Sequence, residues 1–277
     1  MVAISAAEVK ALREKTGLPM MDCKQALAEC QGDSEAAIRW LRERGAQVLT
    51  KRADRETAFG RFGIFASFDP PVGAMVELKC ESNPVAQNPE VIQLANDLAR
   101  QLATGPGAQT ADELLDQPSP SKPGATLGQQ KDDLFNRIRE VFNIGRMVRI
   151  DASCGGYSHN ATTIAGVLLE VAGGTPDLAK DVCMHIAAMR PLALGREDLD
   201  PAEIERERTI LREAALNEGK PENIIEKMVE GRLRNFFAEK VLLEQQFVKG
   251  DKETVGKMAQ QHGMTVKRFV HWEIGQK

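Results

Sequence analysis

Val76-Glu77-Leu78-Lys79-Cys80-Glu81-Ser82-Asn83-Pro84-Val85-Ala86-Gln87-Asn88-Pro89-Glu90-Val91-Ile92-Gln93-Leu94-Ala95-Asn96-Asp97-Leu98-Ala99-Arg100-Gln101-Leu102 changes its period half-way along. Val76, Leu78 and Cys80 alternate with polar residues, as in a strand with one buried face. Val91, Leu94, Ala95, Leu98 and Leu102 form the stripe of an amphipathic helix. Asn88 is placed to cap that helix and Pro89 to occupy its first position. Between strand and helix, Glu81 to Gln87 reads as a short polar surface loop. Such a loop on a rigid scaffold is a common place for residues that touch partners. On the local pattern alone, an ordinary strand-to-helix connection is the favoured reading.

Working towards the N-terminus, Phe59 to Phe68, the turn Asp69-Pro70-Pro71 and Val72 to Cys80 read as a hairpin leading into this stretch. Residues 46–57 are polar and charged, and read as a linker. Before it, residues 1–53 read as a small three-helix module. Ser5 and Glu8 make a capping-box pattern and Gly17 a helix stop. Leu18-Pro19-Met20-Met21 is a short apolar loop. A second helix carries Cys23, Ala26, Leu27 and Cys30. Asp33 opens a third helix, expected to run to Gly45. About fifty residues is marginal for an independent core. Met20 and Met21 read either as core filler or as a soft contact surface.

Towards the C-terminus, Thr104 to Lys131 is rich in Pro and Gly, and reads as a loop or loosely helical insertion. A helix from Asp132 to Asn143 and a strand from Arg146 to Ala152 are expected to close this half. Gly155-Gly156-Tyr157-Ser158-His159-Asn160 reads as a Gly-rich loop. A strand from Thr163 to Ala172 and a helix from Asp177 to Met189 follow, so the order strand, turn, helix recurs. Residues 201–237 hold two charged helices around Asn217-Glu218-Gly219-Lys220-Pro221, the pattern of an antiparallel helical hairpin. Each arm of roughly 16 residues spans roughly 24 Å. The arm either packs on the body or projects towards a partner. Val241 to Val248 and Val266 to Ile274 read as strands, with a helix from Thr254 to His262 between them. The fold class expected is α+β, in three parts: 1–53, 58–154, and 155–277 with the hairpin inserted.

The 277 residues are 42% hydrophobic and 27% charged, with a net charge of −4. That is the composition of a globular chain, and it lacks the basic surplus of a general nucleic-acid binder. At 5% aromatic residues, base-stacking platforms are also disfavoured. No apolar run is long enough for a bilayer, and the first ten residues lack the layout of a signal peptide. Five cysteines without CxxC spacing argue against a disulfide framework or a zinc site, and suit a reducing cytoplasm. No phosphate-binding loop, GxSxG or HExxH is found. Of the four histidines, His159, beside Tyr157, is the one placed like a functional side chain. His185, His262 and His271 read as structural or surface residues.

Leu12-Arg13-Glu14-Lys15-Thr16-Gly17-Leu18-Pro19-Met20-Met21-Asp22-Cys23-Lys24-Gln25-Ala26-Leu27 closely resembles the N-terminal signature of the translation elongation factor Ts family. Three further blocks are similar and collinear: Met184 to Pro191, Gly219 to Arg232, and Val241 to Val248. The resemblance covers nearly the whole chain. It implies an N-terminal ubiquitin-associated-like domain, a two-subdomain core with antiparallel sheets, and an inserted coiled-coil hairpin. It also implies a cytoplasmic guanine-nucleotide exchange factor that binds elongation factor Tu in its GDP-bound and nucleotide-free states, with no cofactor, catalytic residue, membrane or nucleic-acid partner. Leu12, Met20, Met21, Tyr157 and His159 match family positions that contact the partner. Ser82-Asn83-Pro84-Val85 matches a Thr-Asp-Phe-Val segment implicated in dislodging the partner's Mg²⁺. Here Asn83 and Pro84 replace the acid and the aromatic ring, and Pro84 is expected to push Asn83 towards an extended conformation. Ile138-Arg139-Glu140-Val141 stands where the family has Ile-Gly-Glu-Asn. The hairpin is expected to hold the partner or to dimerise. Two rivals remain: a binder of elongation factor Tu without fast exchange, and an enzyme using His159 as acid or base.

Overall fold

The computed structural model describes residues 4–52, 54–161, 163–219, 221–250 and 253–276. Ala53, at the expected end of the N-terminal module, and Lys220, in the expected hairpin turn, lie outside the described residues. Chain packing divides the molecule into two compact units. The first takes in the chain up to Gly63, Val76–Val148 and the end from Ile274. The second takes in Ile64–Met75 and Arg149–Glu273.

The first unit opens with α1 (Ala6–Thr16), α2 (Met20–Glu29) and α3 (Ser34–Thr50). Ser5 Oγ accepts from Glu8 N at 3.3 Å, and the Glu8 carboxylate accepts from Ser5 N at 2.7 Å, which satisfies otherwise orphaned donors at the start of α1. Gly17, at φ +69°, ends that helix in the left-handed conformation. Leu12, Cys23, Leu27, Ala37 and Leu41 make the core between the three helices. α3 runs past Gly45, where the sequence suggested a stop, and covers the first part of the expected linker. The reason is packing: Gly45 lies on the buried face of α3, and an added Cβ would sit 1.9 Å from Asn136 Oδ1.

β1 (Phe59–Phe68) and β2 (Pro71–Cys80) are adjacent in a three-stranded sheet of order β1-β2-β3, where β3 is Asn143–Ile150. Two intervening residues can join adjacent strands only as a hairpin. After the one-turn α4 (Asn83–Ala86), α5 (Pro89–Thr104) lies on β1, so closely that a Cβ on Gly63 would meet Ala95 O at 1.7 Å. Asn88 Oδ1 caps α5 by accepting from Glu90 N at 2.8 Å. Val91, Leu94, Leu98 and Leu102 are all buried. The Pro-rich stretch that followed contains more helix than expected: α6 (Ala111–Leu115) and the start of α7 (Leu127–Ile138). A capping box of Thr126 and Gln129 starts α7 five residues before the expected Asp132. Arg139, left-handed at φ +66°, ends it, so Phe142 is buried outside the helix and β3 begins at Asn143.

The second unit has a sheet of order β4-β5-β6: β4 (Cys154–Asn160), β5 (Ile164–Gly173) and β6 (Met264–Glu273), with antiparallel pairing throughout. The expected Gly-rich loop is therefore a strand. Its backbone groups pair with β5 from Cys154↔Glu170 to Asn160↔Ile164. α8 (Pro176–Met189) covers the sheet through Ala179, Val182, Cys183 and Ile186. α9 (Pro201–Asn217) and α10 (Glu222–Lys240) form the hairpin, with Ala215, Ile225, Val229 and Leu233 between them. Arg208 pairs with Glu230 and Arg212 with Glu226, a register that runs in opposite directions along the two helices. The expected strand Val241 to Val248 is instead a 3-10 turn (Leu242–Glu244) flanked by single bridges, Ala193↔Val241 and Gln246↔Thr254. Val241, Leu242 and Phe247 are buried without a ladder between them, and Val248 is exposed. α11 (Val255–Gln261) leads into β6.

Candidate functional site

The loop after β2 is held at its base and open at its tip. Val141 N donates to Glu81 Oε1 at 2.8 Å, and Arg55 Nη1 donates to Glu81 Oε2 at 2.9 Å. Ser82 donates twice to Glu140, from its backbone N at 3.0 Å and from Oγ at 2.6 Å. Cys80 Sγ donates to Ser82 O at 3.2 Å. At the far end, buried Arg61 donates from Nη1 to Ala86 O at 2.8 Å, and Ala86 is itself buried. Asn83 and Pro84 are exposed. A rigid base thus presents two exposed residues.

The tip is helical, which overturns the expectation that Asn83 is extended. Ser82 takes the extended conformation instead, at φ −140° and ψ 152°, and its carbonyl accepts from Ala86 N at 3.2 Å. Asn83 becomes the first residue of the turn and Pro84 the second, where a missing N–H leaves no bond unmade.

Electrostatics favour a charged base. Burial raises the Glu81 carboxyl, but the Val141 N–H and the Arg55 guanidinium outweigh it and leave the group below the usual carboxylate range. Burial pushes the Cys80 thiol up to about 11, so it stays neutral.

Met20 and Met21 lie in the first turn of α2, 43% and 71% exposed. Leu12 is buried at 1%, in the core of the three helices. These residues and Ser82 to Val85 belong to the first unit; Tyr157 and His159 belong to the second. The latter two stand two positions apart on β4, therefore on one face, with Tyr157 Oη 3.1 Å from His159 Nδ1. His185 is fully buried: its Nε2 lies 2.9 Å from Gln245 Oε1, and Nδ1 accepts from Val248 N at 3.4 Å. That arrangement assigns the tautomer protonated on Nε2, and burial lowers the pKa of the ring. Among the described residues, no cluster of His, Cys, Asp and Glu has the makings of a metal site, and no helix is long and apolar enough to cross a membrane.

The sequence profile of the family described as Elongation factor TS matches residues 81–276, beginning at the first residue of this loop. Elongation factor Ts of Methylococcus capsulatus is 40% identical over 278 residues, covering 99% of this chain and 93% of the relative. That of Clostridium botulinum (strain Eklund 17B / Type B) is 42% identical over 287 residues, with the same coverage. That of Aquifex aeolicus is 40% identical over 291 residues, covering 99% of both chains. The chain belongs to the elongation factor Ts family.

Measured against the elongation factor Ts segment Ile-Gly-Glu-Asn, the residues that grip the loop gain a meaning that sequence reasoning missed. Ile138 to Val141 stood out only as a departure from the pattern. In the fold it supplies Glu140 and the Val141 N–H to the loop base. The one available signal was Glu140 itself, an acid kept at its place in an otherwise altered segment.

Proposed function

We propose that this chain is a guanine-nucleotide exchange factor: it binds elongation factor Tu carrying GDP, disturbs the Mg²⁺ and phosphate site, and so allows GTP to load. Family membership across nearly the whole chain carries this reading. The loop with a fixed base and an exposed tip supports it. Exchange of this kind makes and breaks no covalent bond. It requires tighter binding to the nucleotide-free partner than to the GDP form, and the coupling is reciprocal. A hundredfold preference corresponds to about 2.7 kcal/mol. Mg²⁺ demands near-ideal octahedral geometry, so a rigid surface that displaces one ligand can supply such a difference.

In this reading Leu12, Met20 and Met21 hold the partner, the two methionines through exposed side chains and Leu12 from the core of the three helices. Ser82 to Val85, with Tyr157 and His159, act on the nucleotide site. The hairpin, with Ile210, Leu216 and Ile224 exposed, holds the partner or a second copy. The setting is the cytoplasm, where five free thiols persist. No cofactor, catalytic residue or nucleic acid takes part. The test is stopped-flow release of a fluorescent GDP analogue from the cognate elongation factor Tu at varied Mg²⁺. Release should accelerate with concentration of this protein; an unchanged release rate refutes the reading.

Asn83 and Pro84 favour a second reading, a holder of elongation factor Tu without fast exchange. Restoring the family residues, Asn83→Asp with Pro84→Phe, separates the two. A large gain in plateau rate means that the native tip holds the partner without efficient exchange. No gain, from a protein already fast, leaves exchange factor as the function.

A further inference from the structure

Arg139 is the point where two distant parts of the first unit meet. It adopts φ +66°, a conformation that disfavours any residue with a side chain. Its side chain reaches Asp22 Oδ2 at 2.5 Å, on α2 and directly after Met21, with both groups about two-thirds or more buried. Its carbonyl accepts from Arg52 Nη1 at 2.7 Å, just beyond the end of α3. The next residue, Glu140, holds Ser82 by two bonds, and the one after, Val141, holds Glu81. Three consecutive residues are therefore bonded both to the helix that bears the exposed methionines and to the loop that bears Asn83 and Pro84.

We infer that Arg139 and Glu140 are positioning residues for nucleotide exchange, a strut that fixes the Met20–Met21 grip and the Ser82–Val85 tip in one frame. The inference rests on the proposed action on elongation factor Tu. Two contact points on one partner bind best when their separation is preset, because no ordering cost is left for the moment of binding. The Arg139–Asp22 pair then governs how readily the complex forms. The two bonds to Glu140 govern how stiffly the tip presses once the complex exists.

A merely structural role predicts something else, and Arg139→Gly separates the two. Glycine relieves the left-handed strain, so the unfolding midpoint should stay level or rise. The ion pair is lost at the same time. The measurement is release of a fluorescent GDP analogue from cognate elongation factor Tu as a function of the concentration of this protein. Arg139→Gly should raise the half-saturating concentration about fivefold, the scale of one partly buried ion pair, with the plateau rate unchanged. Asp22→Asn should do the same, and the double variant should be no worse than either single one. Glu140→Ala should lower the plateau about tenfold, with a smaller change in half-saturation. Glu140→Gln, which keeps one acceptor oxygen, should recover part of that loss, and amide hydrogen exchange at Ser82–Ala86 should follow the same order. If the wild-type protein accelerates release but Arg139→Gly and Glu140→Ala leave the curve unchanged, or lower it only in proportion to the folded fraction, the strut is refuted alone. If the wild-type protein gives no acceleration, the exchange reading falls and takes the strut with it.

Discussion

Gly45→Ala should destabilise the N-terminal helices, against the usual effect of that change. In an exposed helix interior, Gly→Ala gains about 1 kcal/mol, because alanine has less backbone freedom to lose. Here the new Cβ would stand 1.9 Å from Asn136 Oδ1, 2.6 Å from Cγ and 2.8 Å from Nδ2. Asn136 is only 8% exposed, and its Oδ1 is buried without a hydrogen-bond partner. Either α3 moves off α7 or the amide is forced from its place, and such overpacking costs about 1–3 kcal/mol. Set against the propensity gain, the clash leaves a net loss of up to about 2 kcal/mol. Asn136→Ala removes both the obstacle and an unsatisfied acceptor. The double variant should then recover the propensity gain and match or exceed the wild type. Trp40, on α3, is the reporter: urea unfolding followed by its fluorescence, in a Trp272→Phe background, isolates the region. If Gly45→Ala alone raises the midpoint as in an exposed helix, the close approach of α3 to α7 is wrong.

Burial raises the Glu77 carboxyl, but Arg146, bonded to it three times, outweighs that and holds it below its ordinary 4.5. A group depressed on folding gives stability that is present above the ordinary value and lost as pH falls through the folded one. Glu77→Gln should therefore flatten the loss of stability below about pH 4.5 in an acid titration by circular dichroism; an unchanged acid limb would count against the pair. Cys30 is the half-buried thiol beside four buried ones, and burial pushes Cys154 up to about 12, so the native protein should show a single fast thiol towards Ellman's reagent, abolished by Cys30→Ser. Met21→Ala should leave stability within about 0.5 kcal/mol, as for other exposed positions, yet raise the half-saturating concentration in the release assay. In the hairpin, Leu233→Ala should cost about 2–4 kcal/mol and visibly reduce helicity, whereas Arg212→Ala should cost under about 1 kcal/mol, since its pair with Glu226 is exposed.

Elements with an uninterrupted period were legible. α5 combines a cap, a proline in first position and one clean apolar stripe, and α9 with α10 brackets a Gly-Pro turn. Misreadings fell where one residue type serves two purposes. Gly45 reads as a helix stop but is a packing glycine, and only the position of Asn136, far along the chain, tells the difference. Gly155 and Gly156 read as a loop, yet they let Ala179 and Ile64 approach a regular strand. Val241 to Val248 has the apolar density of a strand, yet it meets its neighbours only in single bridges. At the candidate site, the resemblance located the loop tip, while its helical turn and its anchor were not readable. Glu140 and Ser82 lie 58 residues apart, and a single pair of bonds across that distance leaves no periodic trace.

The way β1 and β2 are shared between the units has a consequence for synthesis. Ile64–Met75, the hairpin end, belongs to the second unit, yet the remainder of that unit begins only at Arg149. At roughly 5–20 residues per second, the ribosome needs roughly 4 to 15 s to make the intervening chain. During that interval Ile64 and Phe68 have emerged without the second-unit residues that they later pack against. The chain thus passes through a window of seconds in which the hairpin end is open to non-native contacts.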